Sequence, residues 1–124
     1  MPFVPRWTDE ASTTYRELQA AAAASLHSRQ KNKKAKAGKA KGLFKQVEKC
    51  VRFLLENPKH PGLNTHEYDS IDHPYDPRGK VFEAYVQNRT PGTYRLFWCH
   101  GPGVGEIAII AITPHIWLEH FDAV

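Results

Sequence analysis

Hydrophobic and polar residues alternate along three short runs between residues 80 and 115. Val, Ile, Tyr, Phe and Trp dominate these runs, and two clusters rich in Pro and Gly, RTPG and GPGVG, separate them. β-branched and aromatic residues favour strands, and turn-forming clusters between such runs are typical of antiparallel neighbours. The pattern predicts a three-stranded antiparallel meander.

The same alternation predicts which side chains share a face of the sheet, because successive strand residues point to opposite sides. The first run divides into an apolar and a polar set: Phe82, Ala84 and Val86 against Glu83, Tyr85, Gln87 and Arg89. A hairpin closing near residues 90–92 sets Arg95 opposite Gln87 and Phe97 opposite Tyr85. The third run is apolar on both faces, which indicates a strand covered on both sides. We therefore expect helices on one face and a partly polar cleft on the other.

A short apolar segment and two helices are predicted before the meander. The segment contains prolines, which suit an edge strand. Thr8 followed by two acidic residues indicates a helix start, and the apolar residues that follow at three- or four-residue intervals predict a helix over about residues 9–30. A second apolar stripe predicts another helix, which ends before Pro58. The two helices should form an antiparallel hairpin.

The remaining segments carry no sustained periodicity. Residues 31–42, KNKKAKAGKAKG, are expected to form a basic, mobile connector because of their repeated like charges and Gly38. Residues 58–79 are rich in Pro, Gly, Asp and His and are expected to form a long loop, and residues 115–124 a short helix or tail. The length and composition fit one domain over residues 1–124.

Charge and composition narrow the functional classes. Seventeen Lys and Arg against thirteen Asp and Glu give a net charge of +4, with much of the excess at residues 29–49, which favours a polyanion or an acidic protein partner as much as a solvated helix. Neither a membrane span nor a signal peptide is apparent, so we expect a cytoplasmic protein. Cys50 and Cys99 are expected to be buried, reduced thiols. The histidines lack zinc-site spacing, so no metal is expected.

The segment TYRLFW, residues 93–98, resembles the Gly-Tyr-Arg-Leu-x-Tyr signature of the RelE/ParE toxin superfamily. WTDEA, residues 7–11, is similar to the end of that family's first strand and the start of its first helix. FLLENPKHPGL, residues 53–63, resembles the end of its second helix and the loop beyond. The resemblance implies an α+β, RelE-like fold with an N-terminal strand, a two-helix antiparallel hairpin, a three-stranded antiparallel meander and a short C-terminal helix or tail.

The resemblance also implies a function. It points to the toxin of a type II toxin-antitoxin system, a ribosome-dependent mRNA endoribonuclease whose partner is a cognate antitoxin and which needs no metal or cofactor. Cleavage proceeds by attack of the 2'-hydroxyl on the adjacent phosphate. The resemblance assigns phosphate contact to Arg95, and transition-state stabilisation or general acid catalysis to His115. Glu83 and Tyr85 share the predicted polar face with Arg95 and are candidates for proton transfer.

Further residues complete the predicted site. Candidates for RNA contact are Arg89, Lys80, His66 and Trp117. An alternative for Arg95 is a cross-strand ion pair with Glu83. Phe121 stands where some family members have a catalytic tyrosine, and it cannot transfer a proton. This departure favours an alternative function, a non-nuclease member of the same fold such as a gyrase inhibitor or an inactive RNA- or protein-binding module.

Overall fold

The computed structural model describes residues 2–25, 31–87 and 93–114. In chain order its elements are β1 (Val4–Trp7), α1 (Asp9–Ser25), α2 (Lys31–Glu56), a 3-10 turn (Pro61–Leu63), β2 (His66–Glu67), β3 (Phe82–Tyr85), β4 (Tyr94–His100) and β5 (Glu106–Pro114). The strands form one sheet in the order β1-β5-β4-β3-β2. β1 pairs with β5 in parallel, and the other neighbours are antiparallel. The predicted α+β fold, with its edge strand and its meander, is confirmed; the predicted C-terminal helix or tail lies outside the described residues.

The two helices cover one face of the sheet, and the start of α1 is fixed by Thr8. The Thr8 hydroxyl accepts the backbone N–H of Ala11 at 3.1 Å and donates to the Ile110 carbonyl at 2.6 Å. It therefore caps α1 and ties the helix start to β5. Apolar residues of both helices then pack against the sheet in the main core: Ala11, Val47, Val51, Leu54, Ala84, Leu96, Trp98, Ile107 and Ile109.

The basic segment is helical rather than a connector, because α2 begins at Lys31. The expectation of a connector over residues 31–42 gave too much weight to like charges, which cost only a few tenths of a kcal/mol per pair. Lys and Ala are strong helix formers, and Gly38 costs only about 1 kcal/mol. Once the second half of α2 is held by buried residues such as Val47 and Leu54, adding further turns is favourable.

The face away from the helices is largely covered rather than an open cleft. Tyr68 and Ile71, from the long loop, pack over a second apolar cluster that includes Phe97, Cys99 and Ala108. The loop predicted over residues 58–79 thus contains a cover for the sheet, and it also contains β2, which the sequence pattern did not indicate. The prediction that β5 is covered on both sides is confirmed, since Ile107 and Ile109 lie in one cluster and Ala108 and Ile110 in the other.

His73 holds the covering loop to the sheet. Its Nδ1 accepts the backbone N–H groups of Tyr75 at 3.1 Å and Asp76 at 3.0 Å, and its Nε2 lies 3.2 Å from the carbonyl of His100 at the end of β4. Because Nδ1 accepts, Nε2 carries the proton and donates to that carbonyl. A Cβ added at Gly79 would overlap the His73 ring, so the glycine is needed for this close approach.

Replacing Gly79 with alanine should lower the free energy of unfolding by about 1–3 kcal/mol, because the added methyl group displaces the His73 ring. Urea denaturation measures the effect. Gly42→Ala is the matched control: a Cβ there meets nothing within 4 Å, and alanine in a helix is favoured over glycine by about 1 kcal/mol. Equal stability changes in the two variants would contradict the role given to His73.

Candidate functional site

Four of the predicted site residues lie side by side on the sheet face away from the helices. The guanidinium carbon of Arg95 lies 3.7 Å from the ring centroid of Tyr85. The ring of His66 meets the Tyr85 ring edge-on, with centroids 5.7 Å apart. His66 Nε2 is 2.6 Å from Glu83 Oε1. We call Arg95, Tyr85, His66 and Glu83 the polar row.

The register that creates this row differs from the predicted one. Arg95 pairs with Tyr85, and Phe97 with Glu83, so β4 is shifted by two residues from the pairing expected from the hairpin. A shift of two residues leaves every side chain on its predicted face, because the side-chain period of a strand is two. The predicted faces of the described residues of β3 and β4 are therefore correct, while the predicted neighbours are wrong. In β5, strict alternation would group Ala111 with Ile109, but the pairing is irregular opposite Phe97 and Trp98, and Ala111 lies in the second cluster while Ile112 lies in the main core.

Glu83 and His66 form a pair with one buried and one exposed member. The Glu83 side chain is fully buried, whereas the His66 side chain is 47% exposed. His66 Nδ1 lies 3.3 Å from the carbonyl oxygen of Asn64. Both ring nitrogens of His66 therefore face oxygen atoms. β2 thus supplies His66 as a partner of Glu83, and the alternative of a cross-strand ion pair between Arg95 and Glu83 stays a prediction.

Arg95 is held beneath the surface by its own strand and by β3. The residue is only 7% exposed. Its Nη1 donates to the Gln87 carbonyl at 2.7 Å and to the Thr93 hydroxyl at 2.6 Å, with the Tyr94 carbonyl at 3.2 Å. Its Nε is buried without a hydrogen-bond partner among the described residues. These acceptors are neutral, so Arg95 brings a positive charge to its end of the polar row.

The other predicted contacts are less closely grouped. Lys80 is exposed and donates to Glu67 at 2.9 Å, so its charge is partly balanced at the surface. His115, Arg89 and Trp117 lie outside the described residues. His66, predicted for RNA contact, is the exposed member of the row. Neither its pairing with Glu83 nor the strand that carries it could be recognised from a two-residue segment.

The described residues contain neither a group of side chains suited to a metal ion nor a helix suited to span a membrane. Within residues 2–25, 31–87 and 93–114, no three His, Cys, Asp or Glu side chains are grouped so that they could hold a metal ion. Over the same residues, no helix has the length and apolar character needed to cross a membrane.

Both cysteines are buried and free, which confirms the prediction of unpaired thiols. Burial raises the pKa of Cys50 to about 12 and that of Cys99 to about 11, because the apolar surroundings disfavour the thiolate. Neither thiol is suited to act as a nucleophile near neutral pH.

The stability of the protein should fall as the pH rises from about 8 to about 10. Thiols of the unfolded chain ionise near their ordinary pKa of about 8.5, whereas the folded thiols stay protonated, so alkaline pH draws the chain toward the unfolded state. Urea denaturation at both pH values measures the decline. A Cys50→Ala, Cys99→Ala double variant should show a shallower decline; an identical slope would contradict the raised pKa values.

Comparisons with known proteins address the fold. No family model matches the sequence, and no curated protein matches it. Among solved structures, a YoeB/ParE toxin from Agrobacterium tumefaciens aligns with a TM-score of 0.58 at 11% identity, over 90% of this chain and 98% of the toxin. The chain has the RelE/ParE toxin fold. A chain of the archaeal RelE-RelB complex from Pyrococcus horikoshii aligns with a TM-score of 0.52 at 9% identity, over 92% of this chain and 96% of that one.

The RelE/ParE fold accounts for the arrangement of the site. The helical hairpin occupies one sheet face, so the other face is left for the polar row and for the loop that covers its apolar neighbours. At 9–11% identity the likeness concerns the backbone architecture. The chemistry therefore has to be argued from the residues of the polar row themselves.

Proposed function

We propose that this protein is the toxin of a type II toxin-antitoxin pair and that it cleaves mRNA on the ribosome without a metal ion. The main observation behind this proposal is that the exposed His66 ring pairs with the buried Glu83 carboxylate, next to the Arg95 and Tyr85 pair. The fold shared with a YoeB/ParE toxin and a RelE-RelB complex supports the toxin assignment.

In this proposal His66 is the general acid. In cleavage by 2'-hydroxyl attack, the 2'-oxygen bonds to phosphorus and gives up its proton to water, while the bond between phosphorus and the 5'-oxygen breaks. His66, whose ring is exposed to solvent, donates a proton from Nδ1 to the departing 5'-oxygen. The contact of Nδ1 with the Asn64 carbonyl is long, at 3.3 Å, so a substrate oxygen readily replaces it. Glu83 is too buried to touch RNA, and it acts as a positioning residue that orients the imidazole through Nε2.

Arg95 supplies positive charge in this proposal. A guanidinium that is 7% exposed stabilises the extra negative charge of the transition state through its field, which is stronger in a partly desolvated site than in water. The Tyr85 ring contacts both the guanidinium and the His66 ring, so it links Arg95 to His66 within the polar row. His115 remains a prediction from the sequence for a further stabilising contact.

Primer extension on a translated message tests this function. Purified protein added to a translating extract should produce new 5' ends within the message, undiminished by EDTA, with cyclic phosphate at the matching 3' ends. A message carrying 2'-O-methyl groups at the cleaved positions should stay intact there, because the attacking hydroxyl is blocked. An intact unmodified message would overturn the proposal.

A binding protein of the same fold, such as a gyrase inhibitor, is the second candidate. The burial of both Glu83 and Arg95 favours it, since Glu83 is fully buried and Arg95 is only 7% exposed. Growth arrest accompanied by DNA breaks and by intact mRNA would select this candidate. Growth arrest with cleaved mRNA and unbroken DNA would select the nuclease.

Both candidates imply an antitoxin partner and a cytoplasmic location. The RelE-RelB neighbour is itself a complex, and we extend that association to this chain. The exposed lysines of α2, including Lys41, Lys45 and Lys49, suit an acidic antitoxin segment. Co-expression with the neighbouring reading frame, followed by co-purification from a salt gradient, tests the association.

A further inference from the structure

A cavity that the proposed chemistry does not use lies on the sheet face that carries the helices, across the edge strand β2 from the polar row. It has a volume of about 710 Å³ and opens between the loop after α2 and the adjoining ends of β3 and β4. Small-molecule sites typically enclose about 300–1,000 Å³. Its lining includes Phe3, Phe82, Trp98, His100, Thr65 and Lys59. The cavity is therefore large enough for a nucleotide.

Aromatic rings form much of the cavity wall. Trp98 is 2% exposed and forms the floor, stacked on Phe82 with centroids 4.7 Å apart. Phe3 and Phe82 are half-buried and His100 is exposed, so these three rings still have surface to offer a ligand. Nucleobases stack on such rings with little dependence on sequence, because every base has a flat π-face.

The polar groups of the cavity lining favour a ligand that accepts hydrogen bonds. Thr65 Oγ1 and Trp98 Nε1 are buried with no hydrogen-bond partner among the described residues. The indole N–H only donates, while the threonine hydroxyl donates and accepts. Lys59 is exposed at the rim and adds a positive charge. A flat ring system with acceptor atoms and a nearby phosphate fits this set of groups.

The cavity and the polar row are joined by one short segment of chain. Asn64 lines the cavity, and its carbonyl oxygen is the group that faces His66 Nδ1 at 3.3 Å. An RNA strand that passes around the sheet edge at residues 64–66 thus reaches both the cavity and the polar row. We infer that the cavity holds a nucleobase of single-stranded RNA and that this base flanks the phosphate at His66. The inference rests on the proposed function and names a recognition subsite for its substrate.

NMR titration tests the subsite apart from cleavage. The probes are the four ribonucleoside monophosphates and 2'-O-methyl trinucleotides, which bind but cannot be cleaved by 2'-hydroxyl attack. Expected results are shifts of the Trp98 indole and of the amides of Phe3, Thr65 and His100. Thr65→Val and Lys59→Gln should each weaken trinucleotide binding by about tenfold. Lys45→Gln, on the exposed side of α2, is the matched charge control and should leave affinity unchanged.

Thr65→Val also serves as a folding control. The Thr65 hydroxyl makes no hydrogen bond to the described residues, so replacing it with a methyl group removes no internal bond and should not lower the free energy of unfolding.

Three results would each overturn the subsite: shifts confined to the polar row, equal affinities for Thr65→Val and wild type, or no binding of either probe at millimolar concentration. Binding at the cavity by a protein that cleaves no message would retain the subsite and reject the nuclease.

Discussion

Replacing His66 with glutamine should slow mRNA cleavage by about 10²- to 10⁴-fold, the usual contribution of a general acid or base. Glutamine keeps an N–H group near Glu83 but cannot deliver a proton to the 5'-oxygen. Because the acid must be protonated, cleavage by the wild type should decline as the pH rises, and the residual activity of His66→Gln should lack that decline. Primer extension over a pH series in the extract measures both effects.

Two further variants show whether His66 acts as proposed. Glu83→Gln should reduce cleavage by about 10- to 100-fold, as loss of a positioning partner does elsewhere, while keeping the pH dependence. Glu67→Gln changes the neighbouring residue of β2, which is exposed and contacts Lys80 instead of the row, and should remain within about twofold of wild type. If His66→Gln kept the wild-type rate and pH profile, His66 would have no catalytic role.

Replacing Arg95 with glutamine should reduce cleavage by about 10²- to 10³-fold, the range seen when an electrostatic stabiliser is removed. The same change should lower the free energy of unfolding by about 1–3 kcal/mol, because buried acceptors at Gln87 and Thr93 lose their donor. Arg95→Lys keeps the charge, so it should retain cleavage within about tenfold of wild type. Urea denaturation and primer extension give the two readouts.

The comparison of these variants distinguishes a buried charge from direct phosphate binding. If Arg95→Lys were as inactive as Arg95→Gln at equal stability, paired guanidinium donors would be required, and Arg95 would have to turn outward to bind the phosphate. Arg16→Gln, an exposed arginine on α1, controls for the loss of one positive charge and should change neither readout. Full activity of Arg95→Gln would remove the residue from the mechanism.

Much of the fold follows from local patterns in the sequence. Alternation in residues 82–86 placed Ala84 and Val86 in the core and Glu83 and Tyr85 on the other face, as the structure has them. Thr8 was recognisable as a helix cap because capping depends on a hydroxyl and on the amides that directly follow it. The basic start of α2 was misjudged, because weak local penalties were overcome by the packing of the same helix farther along.

The neighbours within the site were decided by tertiary structure. Alternation has a period of two, so it cannot distinguish registers that differ by two residues, and it left Arg95 opposite Gln87 instead of Tyr85. The pairing of His66 with Glu83 depends on β2, a two-residue strand that forms only because β3 offers it an edge. The sequence by itself thus determined which residues of β3 and β4 face away from the helices. The long-range pairing of strands decided which of them touch, because such contacts join segments with no local signal of each other.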